Sequence, residues 1–132
     1  AELNRRQLAA LSGEFFAAAY DVNGFKVITM TLPGQVSGSE LRTVGTDLKN
    51  RLSDQAGVVV LVANDGNKVP FLAAATPKAI ERGVKAGQLV GLVGQYCEGR
   101  GGGKPDMAQG SGTNIDGASE AFAAVADELK KL

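Results

Sequence analysis

Apolar positions along this chain recur first at helical and then at strand spacing, and the changes of period divide it into elements. Leu8, Leu11, Phe15 and Ala18 follow 3-4-3 spacing, which predicts a helix from about Glu2 to Ala19. Gly13 weakens its middle, and its single apolar stripe needs a partner. Either the chain's own core or the same helix of a second copy would serve. After Asp21-Val22-Asn23-Gly24, a turn, the run Phe25 to Leu32 is rich in β-branched and large apolar residues and ends at Pro33-Gly34, as a strand does. Ser37 and Glu40 have the offset of a capping box, and Leu41, Val44, Leu48 and Leu52 then form a helical stripe. Arg42 and Lys49, seven residues apart, share a different, exposed face of that helix.

Beyond Gly57, Val58 to Ala63 is apolar at every position, which predicts a strand covered on both faces and therefore helices above and below it. Asn64-Asp65-Gly66-Asn67 supplies turn residues, so the next strand, about Lys68 to Ala75, should return antiparallel. Pro70 pushes that strand toward a sheet edge or a bulge. Thr76-Pro77 opens a short helix that Gly83 stops. A second helix, about Ala86 to Cys97, carries Leu89, Val90, Leu92, Val93 and Tyr96 almost all round, as a buried central helix would, and Gly87, Gly91 and Gly94 would let another backbone come close. From about Asp116, Ala118, Phe122, Val125, Leu129 and Leu132 predict a closing helix. The order is that of an α/β layered domain, a small mixed β-sheet flanked by helices.

Composition narrows the chemistry. The 132 residues, 44% apolar and 21% charged, suit one soluble globular domain, and no apolar run approaches the roughly 20 residues that span a bilayer. The amino end lacks the pattern of a secretory leader, so the expected compartment is cytoplasmic, and a first residue other than Met suggests processing or excision from something longer. With one cysteine, Cys97, and no histidine, an internal disulfide and a Cys/His zinc site are excluded, as are Ser-His-Asp and Cys-His catalysis. Net charge is zero but uneven: from Lys68 to Lys104 six cations face two anions, 6 − 2 = +4, while the last segment sets Asp106, Asp116, Glu120, Asp127 and Glu128 against Lys130 and Lys131. A basic patch on a neutral protein suits a phosphate-bearing partner.

Two of that patch's cations, Arg100 and Lys104, fall in Glu98 to Gly112, a stretch too rich in glycine for any core to use as regular structure and therefore expected to be a surface loop. Gly101, Gly102 and Gly103 would let backbone N–H groups approach a ligand, and Arg100 and Lys104 flank them with positive charge. Lys85, Lys78 and Arg82 would extend the basic surface. Gln109 would contact a nucleotide or hydrogen-bond the loop, while Pro105 and Asp106 would shape it, Asp106 by capping N–H groups within it. A Walker-type loop is ruled out, because Glu98 and Pro105 stand where its leading glycine and its hydroxyl residue belong and the run follows a helix.

The run Gly101-Gly102-Gly103-Lys104-Pro105-Asp106-Met107-Ala108-Gln109-Gly110-Ser111-Gly112 resembles a signature near the end of bacterial alanyl-tRNA synthetases. Val22-Asn23-Gly24, Leu41-Arg42, Asp47-Leu48-Lys49 and Val84-Lys85-Ala86-Gly87 are similar to the same family, so the likeness runs from about Asn23 to Gly112. It implies the DHHA1 fold, shared with DHH-type phosphodiesterases and single-strand exonucleases, over residues 23–132, with 1–22 as the end of a helical linker. It also implies a carboxy-terminal domain that contacts the elbow of tRNA(Ala), links aminoacylation with editing, and performs no catalysis. The upstream domains of the same chain would be partners, and a homodimer could form through the first helix. ATP, Mg and Zn would be needed only upstream, with no cofactor here. Two other readings stay open: an oligomerisation module, or the binding half of a DHH-type phosphodiesterase. Against the latter, the phosphodiesterases have a histidine after the glycine run, where this chain has Lys104.

Overall fold

The computed structural model describes residues 13, 14 and 16–132. The helix predicted for about Glu2 to Ala19, the separate segment 1–22 and the dimer surface assigned to it lie for the most part outside the described residues. Two strands, β1 (Tyr20–Val22) and β2 (Phe25–Gln35), form a tight hairpin whose corner residues Asn23 and Gly24 have φ of 50° and 84°. This is where Asn and Gly are tolerated best. Helix α1 (Gly38–Arg51) follows, opened by the predicted capping box, in which Ser37 and Glu40 each satisfy the other's backbone N–H.

Next come β3 (Gly57–Asn64), β4 (Val69–Ala75), the short α2 (Pro77–Glu81), α3 (Ala86–Cys97), β5 (Arg100–Gly103), β6 (Met107–Gly112), a 3₁₀ turn (Ile115–Gly117) and α4 (Ala118–Lys130). The six strands form one mixed sheet in the order β1-β2-β3-β4-β6-β5, in which only the β2–β3 pair is parallel. Strand β3, at its centre, is buried from Gly57 to Ala63. Its alternating side chains divide the core in two. Val59, Leu61 and Ala63 pack with Leu41, Val44, Leu48 and Leu52 beneath α1, while Val58, Val60 and Val62 pack with Leu89, Val90, Val93, Val125 and Leu129 beneath α3 and α4. The uninterrupted apolar run thus means what it should: helices on both faces of a central strand.

Four expectations need correction. Strand β1 lies in what reads as turn sequence, because three residues suffice to pair with β2. Pro70 does not mark an edge, since β4 lies between β3 and β6. The β3–β4 register runs only to Val62↔Phe71, so Pro70 falls beyond it at the start of the strand, where a missing N–H costs least. Helix α3 is amphipathic rather than buried all round, for Gln88, Gly91 and Gln95 face solvent. The fourth correction matters most: Glu98 to Gly112 is no loop but contains the β5–β6 hairpin, which completes one edge of the sheet.

Two local devices hold the ends in place. Asn23 donates through Nδ2 to the carbonyls of Leu129 (3.1 Å) and Leu132 (2.6 Å), tying the β1–β2 corner to the end of α4. Helix α3 stops at Glu98, which has φ of 55°, and Gly99 N–H then bonds the Gly94 carbonyl at 2.8 Å. A left-handed residue at a helix end is ordinarily glycine, since a Cβ there is strained. Replacing Glu98 with Gly should therefore raise stability by about 0.5–1 kcal/mol, read from the midpoint of urea unfolding.

Candidate nucleic-acid interface

Glycines bring α3 and the β5–β6 hairpin together. A Cβ at Gly94 would stand 2.7 Å from the Gly99 carbonyl oxygen, and one at Gly87 would stand 3.3 Å from the Gly103 carbonyl oxygen. On the hairpin, a Cβ at Gly101 would strike Val90 of α3, one at Gly110 would lie 2.6 Å from the Phe71 ring, and one at Gly103 would lie 2.8 Å from Ala108. These glycines are demanded by packing inside the domain. Gly102 is the exception, because nothing lies within 4 Å of the place its Cβ would take.

Gly102 pairs with Gln109, which pairs in turn with Leu72, so the three share the face of the sheet on which α1 lies. Helix α1 covers β3 and β4 but leaves β6 and β5 open on that side. The result is a groove of about 500 Å³ between α1 and the hairpin, lined by Arg42, Thr46, Lys49, Gly102, Lys104, Asp106 and Gln109 among others. Three cations and one carboxylate line it, 3 − 1 = +2. Lys49 Nζ sits 3.1 Å from Asp106 Oδ2, bridging α1 to the hairpin turn. This bond holds the Asp106 carboxyl below its ordinary range, opposed by partial burial and aided by the charges of Lys49 and Lys104. Among the described residues no carboxylate pairs with Arg42, Lys104 or Arg100. Lys104 and Arg100 are exposed, at the two ends of β5.

Gln109 donates through Nε2 to the Gly38 carbonyl at 2.9 Å, fastening β6 to the start of α1. The Pro105 carbonyl accepts from Ala86 N–H at 2.9 Å, which fixes the hairpin turn against the start of α3 and puts exposed Lys85 beside it. The Asp106 carbonyl accepts from Ala75 N–H at 2.9 Å. Its carboxylate engages Lys49 rather than capping N–H groups within the hairpin, because a strand pair leaves few such groups unbonded. Lys78 and Arg82 do not reach the groove. Lys78 Nζ donates to the Asp54 carbonyl at 2.8 Å, and Arg82 donates to the Asn23 carbonyl at 2.8 Å while its guanidinium lies 3.9 Å above the Phe25 ring. Arg42 and Lys49 are the groove cations that the glycine-rich segment alone does not reveal. Their shared helix face was visible, but not which surface it overlooks.

The DHHA1 domain model matches residues 24–131. The chain is 48% identical to alanine–tRNA ligase of Corynebacterium efficiens, over 100% of this chain and 15% of that protein, and 42% identical to alanine–tRNA ligase of Nocardia farcinica, over 99% and 15%. It therefore spans about 15% of the length of these curated relatives. Among solved structures, the C-Ala domain of Aquifex aeolicus alanyl-tRNA synthetase superposes with a TM-score of 0.76 at 28% identity, covering 85% of this chain and 97% of that one. A pGpG-specific phosphodiesterase from Vibrio cholerae shares the fold, with a TM-score of 0.56 at 12% identity, over 96% of this chain and 40% of that one.

Two outcomes follow from the geometry. Gly101→Ala and Gly110→Ala should each cost about 1–3 kcal/mol by forcing the hairpin away from its neighbours, whereas Gly102→Ala should change stability by less than about 0.5 kcal/mol in the same denaturant titration. The second concerns pH. Because the Asp106 carboxyl is held below its unfolded value, its contribution is present at neutral pH and lost as pH falls from the ordinary aspartate range through the depressed one. The pair is partly solvated, with side-chain exposures of 22% for Lys49 and 45% for Asp106. The loss should therefore stay below about 1 kcal/mol, and it should vanish from the difference in Tm between wild type and Asp106→Asn measured across that window.

Proposed function

Since the chain belongs to the DHHA1 domain family, we propose that it is a tRNA-binding accessory domain that holds its ligand in the groove between α1 and the β5–β6 hairpin and performs no chemistry itself. The observation that carries this reading is Gly102. Packing within the domain accounts for Gly101 and Gly103, but Gly102 faces open space on the groove floor, and glycine weakens a strand relative to almost any other residue. A bare floor beside Arg42 and Lys104 suits a sugar-phosphate backbone that must come close to the main chain. Phosphates would meet the two cations directly, with Arg100 and Lys85 continuing the strip at either end, and Lys78 and Arg82 outside it.

The ligand in this reading is tRNA(Ala), as the name of the similar ligases suggests. Contact at the tRNA elbow would let one bound tRNA serve both aminoacylation and editing by domains upstream, in the cytoplasm. Ligation of alanine, with its ATP, Mg and Zn, belongs in this proposal to those upstream domains. The chain has no histidine to act as a base, and the carboxylate in the groove is engaged by Lys49. No described helix is long and apolar enough to cross a membrane.

Binding of tRNA should be titrated at two salt concentrations with wild type, Arg42→Ala, Lys104→Ala and Lys78→Ala. Each groove variant should weaken binding and lower the slope of log affinity against log salt by about 0.7–0.9, the contribution of one phosphate contact, while Lys78→Ala leaves both unchanged. If Arg42→Ala and Lys104→Ala both bind as wild type does, the groove is not the interface.

A further inference from the structure

Resting on the reading just given, we infer that Gln109 makes the groove selective for ribose: its Oε1 accepts the 2′-hydroxyl of a nucleotide whose sugar lies over Gly102. A glutamine amide has one acceptor oxygen and two donor hydrogens. Here Nε2 is committed to the Gly38 carbonyl at 2.9 Å. Turning the amide over would set oxygen against oxygen, so the carbonyl bond fixes which way the group points. Oε1 meets no donor among the described residues, although Gln109 is half-buried and lines the groove. It is a positioned acceptor that the protein itself leaves unused.

Its surroundings say what it would accept from. Arg42 and Lys104 are donors only, which suits phosphate oxygens and leaves them unable to receive a proton from the ligand. Asp106, the charged acceptor nearby, holds Lys49 Nζ through Oδ2 at 3.1 Å, and its negative charge would repel the phosphates on either side of a sugar. Among the described residues no aromatic side chain lines the groove, so none of them offers a base a stacking surface there. The donor that travels with a nucleic-acid backbone is the ribose 2′-hydroxyl, the group that separates RNA from DNA. Gly102 is the cross-strand partner of Gln109 and is bare, so a sugar can settle next to the amide without meeting a side chain. Phosphates on either side of that sugar then fall to the cations. The groove thus combines contacts that any phosphate strand would satisfy with one contact that, within the sugar-phosphate backbone, only ribose can make.

The test is a 2′-deoxy scan. A set of alanine tRNA transcripts, each carrying one 2′-deoxynucleotide, is titrated against wild type, Gln109→Met and Gly102→Ala, with folding of each variant checked by circular dichroism and thermal unfolding. With wild type, one position should weaken binding by about two- to tenfold when its hydroxyl is removed, the worth of one net hydrogen bond. With Gln109→Met, which keeps length and apolar bulk but no acceptor, that position should become indifferent while the remaining positions keep their wild-type response. Gly102→Ala leaves Gln109 untouched and puts a methyl where the sugar lies, so it should silence the same position even if Gln109→Met fails to fold. A wild type indifferent to every 2′-hydroxyl overturns the inference, and so does a sensitive position that survives both substitutions. Either result leaves the phosphate contacts standing if Arg42→Ala and Lys104→Ala still lower the salt slope, whereas a flat response to those two variants removes the groove reading itself.

Discussion

Close approach of α3 to the β5–β6 hairpin is the constraint on which the rest of this structure depends. Main chain meets main chain where Gly94 faces the Gly99 carbonyl and Gly87 the Gly103 carbonyl, and Gly101 and Gly110 let the hairpin lie against Val90 and Phe71. A side chain at any of these positions would push the hairpin outward. Two strands in which five of ten residues are glycine contribute little apolar area to a core, so they stay in the sheet because their backbone ladder continues β4 and α3 covers them. The glycine-rich stretch is thus stiffened by its neighbours rather than left as a mobile cradle, and a stiff strand can hold Gly102 and Lys104 at fixed places.

The groove follows from that edge. Helix α1 is centred over β3 and β4, where its stripe of Leu41, Val44, Leu48 and Leu52 finds an apolar partner, and the sheet extends past it by two further strands. The space between helix and edge collects Arg42 and Lys49 from one side and Lys104 from the other. On the opposite face, Glu120, Asp127, Glu128 and Lys131 line a depression between α3 and α4, where Lys130 and Lys131 pair with Asp127 and Glu128.

Family and fold carry different weights here. Likeness to the Aquifex aeolicus C-Ala domain extends over most of both chains, whereas likeness to the Vibrio cholerae phosphodiesterase is one of architecture. A shared sheet with helices on two faces is compatible with several chemistries. This chain presents Lys104 at its glycine edge, a compact cation that attracts phosphate.

Much of the fold was legible from side-chain periodicity alone. The apolar run from Val58 to Ala63, the capping box at Ser37 and Glu40, and the stripes of α1 and α4 each record a local preference that the tertiary structure merely uses. Glycine carries no such record. Nothing local distinguishes a glycine that lets a helix approach, such as Gly94, from one that faces open space, such as Gly102, so Glu98 to Gly112 read as a loop until its long-range partners were known. The same limit applied to the site. Charge and glycine content marked Arg100 to Lys104 as candidate binding residues and the absence of histidine excluded imidazole chemistry, both being properties of residues taken singly. That Arg42 and Lys49 face Lys104, that Asp106 answers Lys49, and that Gln109 keeps one oxygen free was decided only by the sheet, which brings together residues about 60 or more positions apart in the chain through contacts no local pattern encodes.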